Sequence, residues 1–229
     1  SATAILHWNA IPVFADIDPE TFCISPSSIE ANISPQTKAI MSVDIGGHPS
    51  NSEAINKIAA SNGLKVISDT AQSPGAFYKG KMAGTLSDIG GYSFNYHKHV
   101  HTGEGGMLVT DDARLAERMR LIRNHAEAVV GDIEMNDIAN MLGFNFRLGE
   151  IEAAIGLEQL KKLQSAVESR QLSAHKLSAG LHGLPGLNTP KVSEGCTHAY
   201  YMYFMTIDAA ETGVSRDRIY EALVAEGVP

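Results

Sequence analysis

The feature that most constrains this chain is a series of short apolar runs alternating with helix-patterned segments between residues 11 and 68. Residues 11–17 (IPVFADI) read as a strand, closed by the turn-forming pair Asp18-Pro19. Residues 25–33 read as a helix, because Ser25, Pro26 and Ser27 suit its first positions. Residues 37–43 (TKAIMSV) form a second, buried strand. Residues 52–61 place Ala54, Ile55, Ile58 and Ala59 on one helical face, and Asn62-Gly63 supplies a stop. Residues 65–68 (KVIS) complete the series as a third strand. Strands joined by helices at this pitch imply right-handed crossovers and a parallel sheet.

Beyond Asp69 the pattern loosens. Gly75, Gly80 and Gly84 punctuate a loop-rich stretch, with short strands expected at 89–94 and 106–110 and a helix from Asp111-Asp112 to about Arg123. Residues 127–142 show no clear period. Leu148, Ile151, Ala154, Ile155, Leu160, Leu163 and Val167 mark one long amphipathic helix. After the breaks at Pro185-Gly186 and Pro190, residues 198–207 (HAYYMYFMTI) read as a strand and 216–226 as a helix. The fold class expected is α/β. A mostly parallel central sheet flanked by helices occupies residues 1–167, and the start of a small α+β C-terminal domain occupies 168–229.

A net charge of −8, with no Lys/Arg stripe interleaved with aromatics, argues against nucleic acid as a partner but leaves room for a local phosphate pocket. No stretch approaches the ~20 apolar residues that span a bilayer, and the start lacks the basic region of a signal peptide. Cys23 and Cys196 make neither a disulfide framework nor a CxxC motif, so a cytoplasmic enzyme is the expectation. Neither end carries a cap or closing turn, which suggests a piece of a longer chain.

Asp69 follows a buried strand, at the end where open α/β sheets place their ligands. A carboxylate leaving an apolar strand needs a partner. The protonated pyridine nitrogen of pyridoxal 5'-phosphate (PLP) is a suitable one, because an acid there keeps the ring cationic. Lys98, in GGYSFNYHKHVHTGEGG, lies just past a strand among aromatic and imidazole side chains, where partial desolvation would free its amine to form an imine. Ser93, in the same segment, could bind a phosphate while the lysine reaches an aldehyde. Thr102-Gly103-Glu104-Gly105-Gly106 could admit a ligand close to backbone, but lacks the GK[ST] tail of a P-loop. His97, His99 and His101 would share one face of an extended segment and so invite a metal reading, although no acidic or cysteine ligand supports them. Taken singly, these residues have ordinary readings as a turn acid, a solvated loop lysine, a strand serine and a turn.

Their combination resembles a known family. DTAQSPGAFYKGKMAGTLSDIGGYSFNYHKHVHTGEGGMLVTDD, from Asp69 to Asp112, is similar to the central block of the DegT/DnrJ/EryC1/StrS sugar aminotransferases of PLP fold type I. That block opens acidic-Asp-Ala-Ala-Gln-x-x-Gly-Ala, continues Ser-Phe-x-x-x-Lys and closes Thr-x-Gly-Glu-Gly-Gly. Residues 143–163 (GFNFRLGEIEAAIGLEQLKKL) resemble the family's Asn-x-Arg segment and following helix, and the run from Pro12 to Ile40 also matches. The resemblance implies that Lys98 carries PLP as a Schiff base and Asp69 pairs with the pyridine nitrogen. It implies Gln72 beside the ring, Ser93 on the phosphate, and Asn145, with Arg147, reaching the active site of a homodimer partner. The implied reaction is transamination of a keto sugar, nucleotide-linked, with glutamate or glutamine as amino donor.

Two departures stand out. Where the family carries a His-x-x-Gly stretch after its second strand, this chain has Asp44-Ile45-Gly46-Gly47-His48. The family's chains are also longer, so a phosphate-binding turn, an aromatic that stacks on PLP and much of the small domain are expected outside this sequence. A PLP- or PMP-dependent sugar dehydratase of the same fold is the alternative. Those relatives carry histidine in place of the lysine, whereas the fifth position after Ser93 here is Lys98. A non-catalytic regulatory member of the fold is the third reading.

Overall fold

The computed structural model describes residues 1–127 and 141–228. Most of 127–142, the stretch without a clear period, lies outside the described residues. The chain begins with a short helix, α1 (Ala2–His7), followed by extended backbone to a second helix, α2 (Pro26–Asn32). Here the expected strand at 11–17 is corrected. Only Ile17 bridges, to Ile24, and Ile11, Val13 and Phe14 are 86%, 67% and 77% exposed. β-Branched and aromatic residues favour a strand only where a neighbour takes up their backbone groups.

The core of the fold follows the alternation. Strand β1 (Ala39–Val43) leads through a 3₁₀ turn (Ile45–Gly47) to helix α3 (Ser52–Ser61) and strand β2 (Lys65–Asp69). β1 and β2 pair in parallel register, with Ile40 beside Val66 and Val43 beside Asp69. Successive side chains of a strand alternate between faces. Ile40 and Val66 therefore share one face, and they pack there with Ile29 of α2 and Ile55, Ile58 and Ala59 of α3. The Asn51 side chain caps α3, accepting a hydrogen bond from the Ala54 N–H at 3.1 Å.

A small hairpin, β3 (Phe77–Tyr78) with β4 (Lys81–Met82), precedes β5 (Ile89–Ser93) and β6 (Gly106–Val109). The main sheet runs β1-β2-β5-β6, parallel except for the antiparallel last pair. Helix α4 (Ala113–Arg123) starts at Asp112, whose side chain accepts from the Arg114 and Leu115 N–H groups.

The expected single helix across Leu148–Val167 is two, α5 (Glu150–Leu160) and α6 (Leu163–Leu181). Lys162 N–H bonds to the Gln159 carbonyl, a tightened i→i+3 turn that separates them while both intervening lysines stay in the α-region. α6 runs unbroken across residue 168. Its Leu163 and Val167 pack on Ala76, Ala83 and Ala199, forming a second core.

The expected strand at 198–207 shrinks to β8 (Thr206–Ile207), which pairs antiparallel with β7 (Leu187–Asn188) in a small C-terminal sheet. Residues 197–202 spend their backbone groups elsewhere. Thr197 N–H donates to the Phe77 carbonyl, Ala199 N–H to Gly47 and Met202 N–H to Gly46, at 2.8, 2.8 and 2.9 Å. The segment thus lies as a strap over the 3₁₀ turn. Helices α7 (Ala209–Thr212) and α8 (Arg216–Ala225) close the chain. No helix among the described residues is long and apolar enough to cross a membrane.

Candidate active site at the ends of the parallel strands

Asp69 is the last residue of β2 and lies in register with Val43 of β1 and Gly91 of β5. Aligned residues of parallel strands point to the same side, so Asp69, Gly91 and Ser93 share the face opposite α3. Asp69 Oδ2 accepts from the Ser1 hydroxyl at 2.5 Å and Oδ1 from the Ala71 N–H at 3.2 Å, while the Ser1 amino group stands 3.8 Å away. No Lys or Arg side chain pairs with Asp69 among the described residues. Its side chain keeps 27% of its surface open. The carboxylate is positioned at the strand ends with part of its surface open.

The loop after Asp69 is held by the loop after β1. Gly46 N–H donates to Gln72 Oε1 at 2.6 Å, which leaves the Gln72 amide N–H₂ without a protein partner among the described residues. Asp44, only 3% exposed, accepts from the Thr70 hydroxyl at 2.8 Å and from the Ser50 N–H at 2.8 Å. Burial raises its pKa, and the neighbouring Asp69 charge adds to the rise while these hydrogen bonds oppose it. Gly46 and Gly47 have φ of +67° and +112°. A Cβ at Gly46 would overlap the Phe204 ring, and one at Gly47 would stand 2.6 Å from the Tyr200 nitrogen. The departure at residues 44–48 therefore has a structural reason: only glycine lets the strap approach this closely.

Lys98 sits in the turn that follows β5, where its N–H donates to the Asn95 carbonyl at 2.9 Å. The excursion 94–105 is closed at its base by Phe94 N–H to Gly105 and Thr102 N–H to Phe94, both 2.9 Å. The ammonium pairs with no carboxylate among the described residues. It lies over the Tyr201 ring of the strap, 4.5 Å from the centroid. Among the described residues Ser93 Oγ accepts only from the Asn95 N–H, at 3.3 Å, and its own O–H has no acceptor there. The Gly-Glu-Gly-Gly stretch is the turn into β6, with Glu104 Oε1 accepting from Asn95 Nδ2 at 2.7 Å.

The three histidines are not an extended ladder. Residues 96–100 turn and bend, His97 is exposed, and His99 points into the strap with Nε2 3.0 Å from the Ala199 carbonyl. That bond makes Nε2 the protonated nitrogen and leaves buried Nδ1 without a partner among the described residues. Burial holds His99 below its ordinary pKa, and the nearby Arg170 and Lys98 cations act in the same direction. Among the described residues no three His, Cys, Asp or Glu side chains gather as metal ligands.

Asn145 is exposed and bridges to Asn124 at the end of α4, where Arg147 Nη1 donates to Asn124 Oδ1 at 2.7 Å. Neither is hydrogen-bonded to Asp69 or Lys98 within this chain. Two groups of this site escaped the sequence reading. Asp44 follows an apolar strand much as Asp69 does, and the same signal could have found it. Tyr201 carries no local signal, because only the strap's path brings it to Lys98.

An amine, a carboxylate, an amide donor and a hydroxyl at the ends of adjacent strands form a donor set suited to PLP. Were PLP bound here, they would be the candidates for its aldehyde, pyridine nitrogen, phenolic oxygen and phosphate respectively.

Known proteins are similar to this chain in sequence and in fold. The spore coat polysaccharide biosynthesis protein SpsC of Bacillus subtilis (strain 168) is 35% identical, covering 99% of this chain and 60% of that protein. The aminotransferase from Psychrobacter cryohalolentis superposes with a TM-score of 0.91 at 32% identity, covering 99% of this chain and 62% of that one. An E coli GDP-4-keto-6-deoxy-D-mannose-3-dehydratase with bound hydrated PLP superposes with a TM-score of 0.85 at 29% identity, covering 97% of this chain and 60% of its own. The chain spans less than two thirds of the length of these relatives. The family model described as the DegT/DnrJ/EryC1/StrS aminotransferase family matches residues 1–229, and the chain belongs to that family.

Proposed function

We propose that the full-length protein is a PLP-dependent aminotransferase that converts a nucleotide-linked keto sugar to an amino sugar, with glutamate or glutamine as donor. The observation that carries this reading is Lys98. Its amine is unpaired by any carboxylate among the described residues and is held over Tyr201, in the turn that leaves the strand beside Asp69. Lys98 would hold the cofactor through its amine, Asp69 would pair with the ring nitrogen, Gln72 Nε2 would donate to the ring oxygen, and Ser93 would donate to the phosphate. Bound there, PLP supplies a sink for the electron pair of the bond broken at the donor's α-carbon. Asp69 would place its carboxylate at the far end of that sink. Removing preorganised stabilisation of this kind typically costs about 2.7–4 kcal/mol in the transition state. With its amine free, Lys98 would be the base that takes the α-proton of the donor.

The dehydratase relative shares the fold closely, so fold alone does not separate the two reactions. Lys98 supports the aminotransferase reading, because the family resemblance implies histidine at this position in the dehydratases. The proposal includes a homodimer in which segment 145–147 of one subunit reaches the other's site. Exposed Phe146, Ile151 and Leu157, at 61%, 76% and 65%, support a covered face in the assembly.

The test is mass spectrometry of the full-length protein after borohydride reduction with PLP. A pyridoxyl adduct on Lys98 is expected, together with amino transfer to a panel of nucleotide-linked keto sugars. An adduct on another lysine, or none, overturns the site. Loss of a hydroxyl from the sugar without amino transfer turns the reading to the dehydratase.

A further inference from the structure

We propose that Asp44 is a positioning residue, which through Thr70 fixes the loop that carries Asp69 and Gln72. The inference rests on the reading of the site given above. Asp44 stands in the loop that departs from the family pattern, and Thr70 stands where the family block reads Ala, so two departures are bonded to each other.

The contacts converge from one side on one short segment. Asp44 N–H donates to the Asp69 carbonyl at 3.0 Å. Asp44 Oδ2 accepts from Thr70 Oγ at 2.8 Å, and the Asp44 carbonyl accepts from Ser73 Oγ at 2.7 Å. Gly46 N–H reaches Gln72 Oε1 at 2.6 Å. Residues 69, 70, 72 and 73 are thereby each tied to 44 or 46. The carboxylate itself is fixed by the Ser50 N–H on Oδ1, and Ser50 Oγ is anchored on the Val43 carbonyl. Thr70 and Ser73 are fully buried and Ser50 nearly so, so no water competes for these bonds.

A purely structural role is a poor account of a buried carboxylate here. An apolar pair of the same shape would hold the two loops together about as well without the desolvation cost. What the apolar pair would not give is direction. Charge-assisted bonds to a fixed carboxylate set the rotation of the Thr70–Ser73 turn, and with it the orientation of the Asp69 and Gln72 side chains.

The experiment uses the full-length protein with Thr70→Val, Thr70→Ser and Asp44→Asn. Amide hydrogen exchange is followed in the cofactor-free protein and PLP affinity by absorbance titration. Thr70→Val is expected to speed exchange at residues 69–73 and weaken PLP binding by ~10-fold or more, the factor set by a lost bond to a charged acceptor. Exchange in α3 should stay at the parental rate. Thr70→Ser is expected to restore both values, and Asp44→Asn to weaken PLP as Thr70→Val does. Parental exchange and parental affinity in Thr70→Val overturn the proposal. Faster exchange throughout, including α3, or a Thr70→Val protein that does not fold also overturns it, because the pair would then serve stability alone. A parent protein that takes up no PLP sinks the reading of the site and this role together. A parent that binds PLP as tightly as Thr70→Val sinks only this role.

Discussion

The Lys98 ammonium lies on the face of the Tyr201 ring, 4.5 Å from its centroid. This contact joins the loop after β5 to the strap that crosses the 3₁₀ turn, and it is one of the places where the C-terminal part of the chain touches the candidate site. An aromatic face attracts a cation through its quadrupole, by about 0.5–2 kcal/mol depending on exposure. Tyr201→Phe keeps that face and should trap PLP on Lys98 at the parental rate under borohydride. Tyr201→Leu removes the ring that holds the side chain in place and should slow trapping several-fold. Equal rates for the parent and Tyr201→Leu would show that the ring does not hold the amine.

Gly47→Ala should be strongly destabilising. Its φ of +112° disfavours any L-residue, and the new methyl would stand 2.6 Å from the Tyr200 nitrogen and 2.9 Å from the Tyr201 nitrogen. Both are main-chain atoms, which cannot swing aside as a side-chain tip can. A loss of roughly 1–3 kcal/mol is expected in urea unfolding, the range for backbone strain of this kind. The Lys98–Tyr201 contact should loosen with it. A Gly47→Ala midpoint equal to that of the parent would contradict the close approach.

Gln72 has a role on each side of its amide. Its Oε1 satisfies the buried Gly46 N–H, so Gln72→Leu should cost about 1–3 kcal/mol of stability by orphaning that donor. Gln72→Glu keeps an acceptor for Gly46 but loses the outward donor. It should retain stability while weakening PLP binding. Chemical unfolding and cofactor titration of both variants separate the two roles, and matched losses in both variants would refute the division.

Acid should unfold this protein partly through His198. Burial, aided by His48 and His99 beside it, lowers its pKa to about 3. Its Nδ1 accepts from the Tyr200 N–H at 2.8 Å, a bond that protonation would break. Above the ordinary histidine pKa of about 6.5, neither the folded nor the unfolded chain carries the proton, and this residue costs nothing. Below it the unfolded chain takes a proton that the folded chain refuses, so stability falls as pH drops from about 6.5 toward 3, by up to about 1.4 kcal/mol per unit. His198→Gln keeps an acceptor for Tyr200 without the titration. Its unfolding midpoint should therefore fall less than the parent's between about pH 7 and pH 5. Parallel curves would assign the acid sensitivity elsewhere.

Where residues answer to near neighbours in sequence, the pattern was legible. The apolar spacing of Ile55, Ile58 and Ala59 and the alternation in Ala39–Val43 and Lys65–Asp69 placed a helix and two parallel strands, with Asp69 at their ligand-facing end. Residues 11–17 and 198–207 misled because their β-favouring side chains say nothing of what their backbone groups will meet. The first stretch meets almost no partner strand, and the second meets glycines and a hairpin. The break between α5 and α6 escaped notice because the apolar spacing continues through Lys161 and Lys162.

The sequence by itself determined the family and singled out the lysine and the acid proposed for its site, because a motif of fixed spacing survives without knowledge of the fold around it. Only the tertiary structure decided that Asp44 backs Thr70 and that Tyr201 meets Lys98. Those contacts join residues far apart in the chain, and a strand end, a glycine turn and a strap must first be folded together before such side chains are neighbours.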